Sequence, residues 1–297
     1  DEEKLNNGFQ VMRDWAGGLL LNADDIDAER GIVVEEWRTG QGVNQRLRDA
    51  YLPVLLHDSR YADRMPIGKM DIIRNAADSL VRQFYQDWYR PDLMAVVAVG
   101  DVDPDKVEEL IKGYFSDLKN PETARTREYY DVPTHKENFV KIITDEEAPG
   151  IQVQLYYKQE ARPSNSYEDY KGRILRTMFG GMITQRLDEI RQKADAPFIF
   201  AGARYGNLVR PLDFFTISGV VGPRKLKDGL LAFLTENQRV VDYGFTQSEL
   251  DRVKRSLLNS SEKSLKEMDK MESRTLVGRY VSHFLNTSFA DGPESRY

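Results

Sequence analysis

An α+β fold in two domains is what this sequence predicts, and three observations predict it. The length of 297 residues is too long for one average domain and suits two. The second half runs strands, helix, strands and two helices, an order that layers helices over a sheet. The first half offers four helices and a single strand, and a lone strand cannot form a sheet.

The elements follow from periodicity and punctuation. Phe9, Met12, Trp15, Ala16 and Leu19 fall at steps of three and four, which makes residues 1–22 an amphipathic helix. Asp24-Asp25 caps a second helix that carries Glu29 to about Arg48. Pro53 and the 57–61 stretch read as turn, Pro66-Ile67-Gly68 as loop. A third helix spans 77–89, with Leu80, Val81, Phe84, Tyr85 and Trp88 on its apolar side, and Arg90-Pro91 stops it. Residues 93–99 form a short apolar, β-branched run ending at Gly100-Asp101, as a buried strand does. Asp103-Pro104 opens the next helix, and the polar, proline-bounded 120–133 stretch reads as a linker. The predicted domains are therefore residues 1–130 and 131–297.

In the second half, 139–144 and 151–157 are strands separated by Pro149-Gly150. A helix over 167–193 is interrupted or bent near Gly180-Gly181. Residues 198–205 and 212–221 alternate like an antiparallel pair, with Gly206-Asn207 in the connection. Helices follow over 225–243 and from 246 to about 285, the last opening on the capping box Thr246-Gln247-Ser248-Glu249.

Composition narrows the chemistry. A net charge of −6 argues against a nucleic-acid surface. With no cysteine, disulfides, thiolate zinc sites and cysteine nucleophiles are excluded. No apolar run approaches the ~20 residues that cross a bilayer. The charged start Asp1-Glu2-Glu3-Lys4 lacks the plan of a signal peptide. With the abrupt end at Ser295-Arg296-Tyr297, it gives the expectation of a segment of a longer protein.

Glu29 and Glu36 are the candidate functional pair. In a helix a step of seven returns to within about 20° of the same face, so both carboxylates project together. Exposed glutamate is the commonest state of the residue, so spacing alone does not make a site. His57, His135 and His283 are far apart and show neither H-E-x-x-H nor H-x-x-E-H spacing. No G-x-S-x-G elbow, Walker loop or G-x-G-x-x-G fingerprint occurs.

Glu29-Arg30 with Val33, Val34 and Glu36 comes first in an ordered set of positions. Pro66-Ile67-Gly68, Phe84-Tyr85, Tyr89-Arg90-Pro91 and the 96–102 run follow. Then come Gly180-Gly181, Arg186-Leu187, Glu189-Ile190-Arg191, Gly244-Phe245-Thr246 and Glu249-Leu250. In this order and spacing the chain resembles the pitrilysin family of zinc metallopeptidases, which includes insulysin and the mitochondrial processing peptidase.

The resemblance implies two related domains, each with helices on one face of a mixed, mostly antiparallel sheet, the first domain truncated at its N-terminus. It implies that Glu36 is a zinc ligand and Glu29 the acid that supports it, while the two zinc-binding histidines and the catalytic glutamate of H-x-x-E-H lie upstream of residue 1. It implies that Arg191 and position 198 contact substrate backbone. The family's tyrosine is replaced here by Phe198, so its hydroxyl is lost.

The function so implied is part of a zinc-dependent endopeptidase acting on peptides or unfolded proteins, inactive as this chain alone. Its partners are the rest of the parent chain, with the upstream motif and a second domain pair. A non-catalytic scaffold or substrate-binding subunit is the alternative. The family's bacterial members point to the periplasm or cell envelope.

Overall fold

The computed structural model describes residues 2–288, and both Asp1 and the 295–297 end lie outside the described residues. The chain divides into two units, neither continuous in sequence. One comprises Asp1–Arg46, Asp63–Tyr129 and Glu272–Leu285, the other Leu47–Ala62, Tyr130–Met271 and Asn286–Tyr297.

The first unit is helical among its described residues. Helix α1 is Glu2–Gly17 and α2 is Ala23–Thr39, where Asn22 precedes the helix and its amide donates to Asp25 at 3.1 Å. The expected single helix to Arg48 is broken at Gly40-Gln41-Gly42, because each glycine in a helix interior costs about 1 kcal/mol relative to alanine. The chain resumes as α3, Val43–Leu55, which carries Pro53 in its last turn, where a turn was expected.

A short α4, Met70–Asn75, follows the Met65 to Gly68 turn, and α5 is Asp78–Trp88. Helix α6, Pro104–Phe115, starts as predicted: Asp103 accepts from the N–H groups of Asp105 and Lys106, and Pro104 loses no bond at that position. Phe9 of α1 is 1% exposed and packs on Tyr114 and Phe115 of α6, with ring centroids 6.0 and 6.5 Å away.

The strand expected over 93–99 does not form. A turn of 3-10 helix, Pro91–Leu93, is followed by residues 94–99 with no ladder partner among the described residues. Sheet structure exists only in pairs, and apolar sequence cannot supply the missing strand.

The second unit holds the sheet, with order β1-β3-β2, all antiparallel. Its strands are β1, Ile151–Glu160, β2, Phe198–Val209, and β3, Leu212–Val221. Residues 139–144, expected as a strand, stay outside it. There Val140 and Ile142 are 84% and 79% exposed.

The β2–β3 turn lies at Arg210-Pro211 rather than Gly206-Asn207, which sit inside β2. Gly206 faces Phe214, whose ring would stand 2.8 Å from any Cβ there, so the glycine serves an aromatic contact and not a turn. The Asn207 amide donates to the carbonyls of Val209 and Leu212 and to the Asp213 carboxylate, holding the irregular end of the ladder.

Helix α7, Tyr167–Arg191, is continuous through Gly180-Gly181 and opens on a capping box of Ser166 and Asp169. A Cβ at Gly180 would meet the Ala203 carbonyl at 3.0 Å, so this glycine lets helix and strand backbones touch. Helices α8, Leu226–Tyr243, and α9, Gln247–Lys266, complete the layer, joined through Gly244 at φ +65°, a conformation that favours glycine.

The expected helix to about 285 is interrupted. Beyond Val253, α9 has no buried residue to hold it straight, and the chain restarts as α10, Ser273–Asn286. One face of the sheet meets α7 and α8 in a core of Val153, Ile183, Leu187, Phe198, Ala201, Phe215, Ile217, Val221 and Phe233.

Candidate functional site

Helix α2 is fastened by the residue next to the candidate glutamate. Arg30, largely buried, donates to the carbonyls of Ile73 and Ala76, to Asp78 at 3.1 Å and to Asp27 at 3.1 Å. With Ile26 buried as well, one side of α2 is committed to this unit. Glu29 and Glu36 lie on the flank of that side, roughly 100–120° around the helix axis from Arg30. Both are exposed, and neither carboxylate has a hydrogen bond or ion pair among the described residues. Seven helical residues rise about 10.5 Å, so the two share a face but lie too far apart to grip one ion together.

The adjacent Glu35 behaves differently. Its carboxylate accepts from Arg38 at 2.8 Å, which lowers the Glu35 pKa and raises that of Arg38. Of the three α2 glutamates in this stretch, Glu35 is occupied, while Glu29 and Glu36 remain available.

No histidine joins them. His57 pairs with Asp58 at 3.2 Å and meets Phe139 edge-on at 5.0 Å. His135 stacks on the same ring at 4.1 Å and contacts the Glu137 carbonyl at 2.8 Å. His283 lies on α10. Among the described residues no group of three histidine, aspartate or glutamate side chains could hold a metal ion. A catalytic zinc needs about three protein ligands, so the described residues do not complete such a site, and no metal-dependent step can be derived from this chain alone.

The two expected substrate contacts part company. Arg191, in the last turn of α7, is 44% exposed and paired with Asp188 at 3.0 Å. Phe198 is 3% exposed and packs on Phe233 with centroids 5.4 Å apart. The expectation of a substrate-facing ring at 198 meets a physical obstacle: the side chain is part of the core, where an apolar ring leaves no polar atom in need of a buried partner.

A buried ion pair escaped sequence reasoning. Arg186 on α7 donates through Nε to Glu249 Oε1 at 2.5 Å and through Nη2 to Oε2 at 3.0 Å. Nη2 also donates to the Gly244 carbonyl at 2.8 Å, and the guanidinium lies 4.8 Å from the Phe245 ring centre. Glu249 closes its own capping box by accepting from the Thr246 N–H at 2.6 Å. The Arg186 bond, with the Thr246 bonds, depresses the Glu249 pKa to about 2 against the opposing effect of burial. The capping box was visible in sequence, but its partner 63 residues earlier was not.

Residues 79–257 match the family described as the Peptidase M16 inactive domain. In Escherichia coli (strain K12), "Probable zinc protease PqqL" is 30% identical over 300 residues, covering all of this chain and 32% of that protein. In Arabidopsis thaliana, "Zinc protease PQQL-like" is 28% identical over 285 residues, 96% of this chain and 27% of its own length. The crystal structure of the periplasmic protease PqqL from Escherichia coli superposes with a TM-score of 0.91 at 28% identity, over all of this chain and 33% of that one. The chain thus spans about a third of the length of the curated relatives it matches.

Proposed function

Because this chain belongs to the peptidase M16 family, we propose that it is part of a zinc-dependent endopeptidase, inactive by itself, that contributes one zinc ligand and a substrate-facing surface to a larger protein. Residues 1–130 are then the latter part of the zinc-site domain and 131–297 the second, peptidase-like domain. Zinc, when bound in the complete protein, supplies a Lewis acid and an activated water. This chain's own part is to present Glu36 from α2 as a ligand, with Glu29 about two turns away supporting the site and Arg30 fixing the helix.

The observation that carries this reading is the state of the α2 glutamates: Glu35 is engaged by Arg38, whereas Glu36 is exposed and unpaired on the face that Glu29 shares. Arg191 is proposed to bind a substrate carbonyl after releasing Asp188. Phe198 stays in the core and is proposed only to shape the strand behind that contact. Peptides or unfolded proteins are the substrates proposed. The periplasm is the proposed compartment, supported by the description of the Escherichia coli protease. No helix among the described residues is long and apolar enough to cross a membrane.

Metal analysis tests the reading. The isolated chain should bind no stoichiometric zinc and cleave no peptide. In the full-length protein Glu36→Gln should abolish zinc retention, and Glu35→Gln should leave it intact. A full-length protein that lacks H-x-x-E-H and binds no zinc would overturn the peptidase in favour of a scaffold of the same fold.

A further inference from the structure

The sheet face turned away from α7, α8 and α9 carries a polar row that the zinc reading does not use. Strand register aligns Tyr156 of β1, Thr216 of β3 and Arg204 of β2 across the three strands. Opposite residues on neighbouring strands stand about 5 Å apart, so Tyr156 and Arg204 flank a gap of about 10 Å with Thr216 between them. Phe214 braces both sides: its ring lies 5.4 Å from that of Tyr156 and 5.5 Å from the Arg204 guanidinium.

The polar atoms in this row are not used up. Arg204 is exposed and has no carboxylate partner among the described residues, in a chain that carries more acidic than basic groups. Thr216 is 3% exposed and its hydroxyl has no hydrogen-bond partner among the described residues, a state that buried hydroxyls rarely keep. Tyr156 is held by a 2.7 Å bond to Gln154. Burial first, and the Tyr51 hydroxyl of α3 next, raise the Tyr156 pKa, while Arg204 lowers it.

We propose that Arg204 and Thr216, walled by Tyr156 and Phe214, form a binding site for a peptide carboxylate. A guanidinium stacked on an aromatic ring is pre-oriented, and its planar fork matches a carboxylate. A carboxylate oxygen over the middle of the row accepts from Arg204, and the Thr216 hydroxyl gains the partner it lacks. Either an acidic side chain or a peptide C-terminus supplies that chemistry. The inference deepens the peptide-handling reading and rests on it.

Fluorescence anisotropy on the 297-residue chain tests the site with three labelled, unstructured decapeptides. One has internal glutamates and an amidated end, one is neutral with a free C-terminal carboxylate, and one is neutral and amidated. At least one carboxylate-bearing peptide should bind about tenfold more tightly than the neutral amide, and which of them does so identifies the source. Arg204→Gln should remove that advantage, and Arg204→Lys should restore only part of it. Thr216→Val should weaken it severalfold. Arg204 is exposed, so an unchanged circular dichroism melt should accompany its loss. Equal binding of all three peptides, no binding of any, or full binding by Arg204→Gln overturns the site. None of these outcomes depends on zinc, and zinc retention by the full-length protein does not depend on them.

Discussion

The sheet unit and the helical unit treat apolar sequence in opposite ways. In β3, residues 212–221 are flanked on both sides, and Phe215, Ile217 and Val221 are buried against α7 and α8. Residues 94–99 are as apolar and as β-branched, yet among the described residues they have no ladder partner, and none of them is fully buried. A strand is thus a property of its neighbours: the same composition gives a core where backbone partners exist and a half-covered extended segment where they do not.

The sharpest way to break this contrast is the buried ion pair of the sheet unit. Arg186→Ala should lower unfolding free energy by about 3–5 kcal/mol in a urea titration, because it strands Glu249 in a buried place. The double replacement Arg186→Met with Glu249→Leu should recover most of that loss, and no recovery would mean that the pair sets geometry and not merely charge balance.

Next in size, Leu187→Ala should cost about 3 kcal/mol, since Leu187 is 1% exposed. Val97→Ala in the unpaired run should cost under about 1 kcal/mol. Similar losses at the two positions would show that residues 94–99 are packed as tightly as β3.

Acid gives a smaller and more specific effect. The Glu249 pKa falls from about 4.5 unfolded to about 2 folded, so its contribution is complete above pH 4.5 and fades as pH drops toward 2. Glu249→Gln should remove that slope from the acid side of the stability curve, as read by circular dichroism. Finally, hydrogen exchange should separate the regions without mutation: the amides of 214–218 should be strongly protected, and those of 95–99 should exchange early.

What the sequence made legible was local. Asp103-Pro104 and Thr246-x-x-Glu249 cap helices through atoms two or three residues away, and both caps are present. What it hid was tertiary. Gly206-Asn207 carries a turn signature, but the Phe214 ring across the ladder claims the glycine, and the turn moves to Arg210-Pro211. Nothing between residues 93 and 99 announces a missing partner. The candidate site divides the same way. The Glu29 and Glu36 spacing and the Arg38 partner of Glu35 can be read within one helix, whereas the burial of Phe198 and the Arg186–Glu249 pair depend on residues far along the chain.

Gly180 has a consequence beyond close packing. With its backbone against the Ala203 carbonyl, and with Thr184 accepting from the Ala203 N–H at 2.9 Å while donating to the Gly180 carbonyl at 2.9 Å, α7 sits on β2 like a key in a slot. A keyed helix cannot roll. Arg186 and Arg191 are five residues, about 140°, apart around its axis, so their bearings are locked together. One guanidinium stays turned toward α9 and the other toward solvent. A bulkier residue at position 180 would swing both at once, coupling the buried latch to a surface contact through nothing more than the width of a side chain.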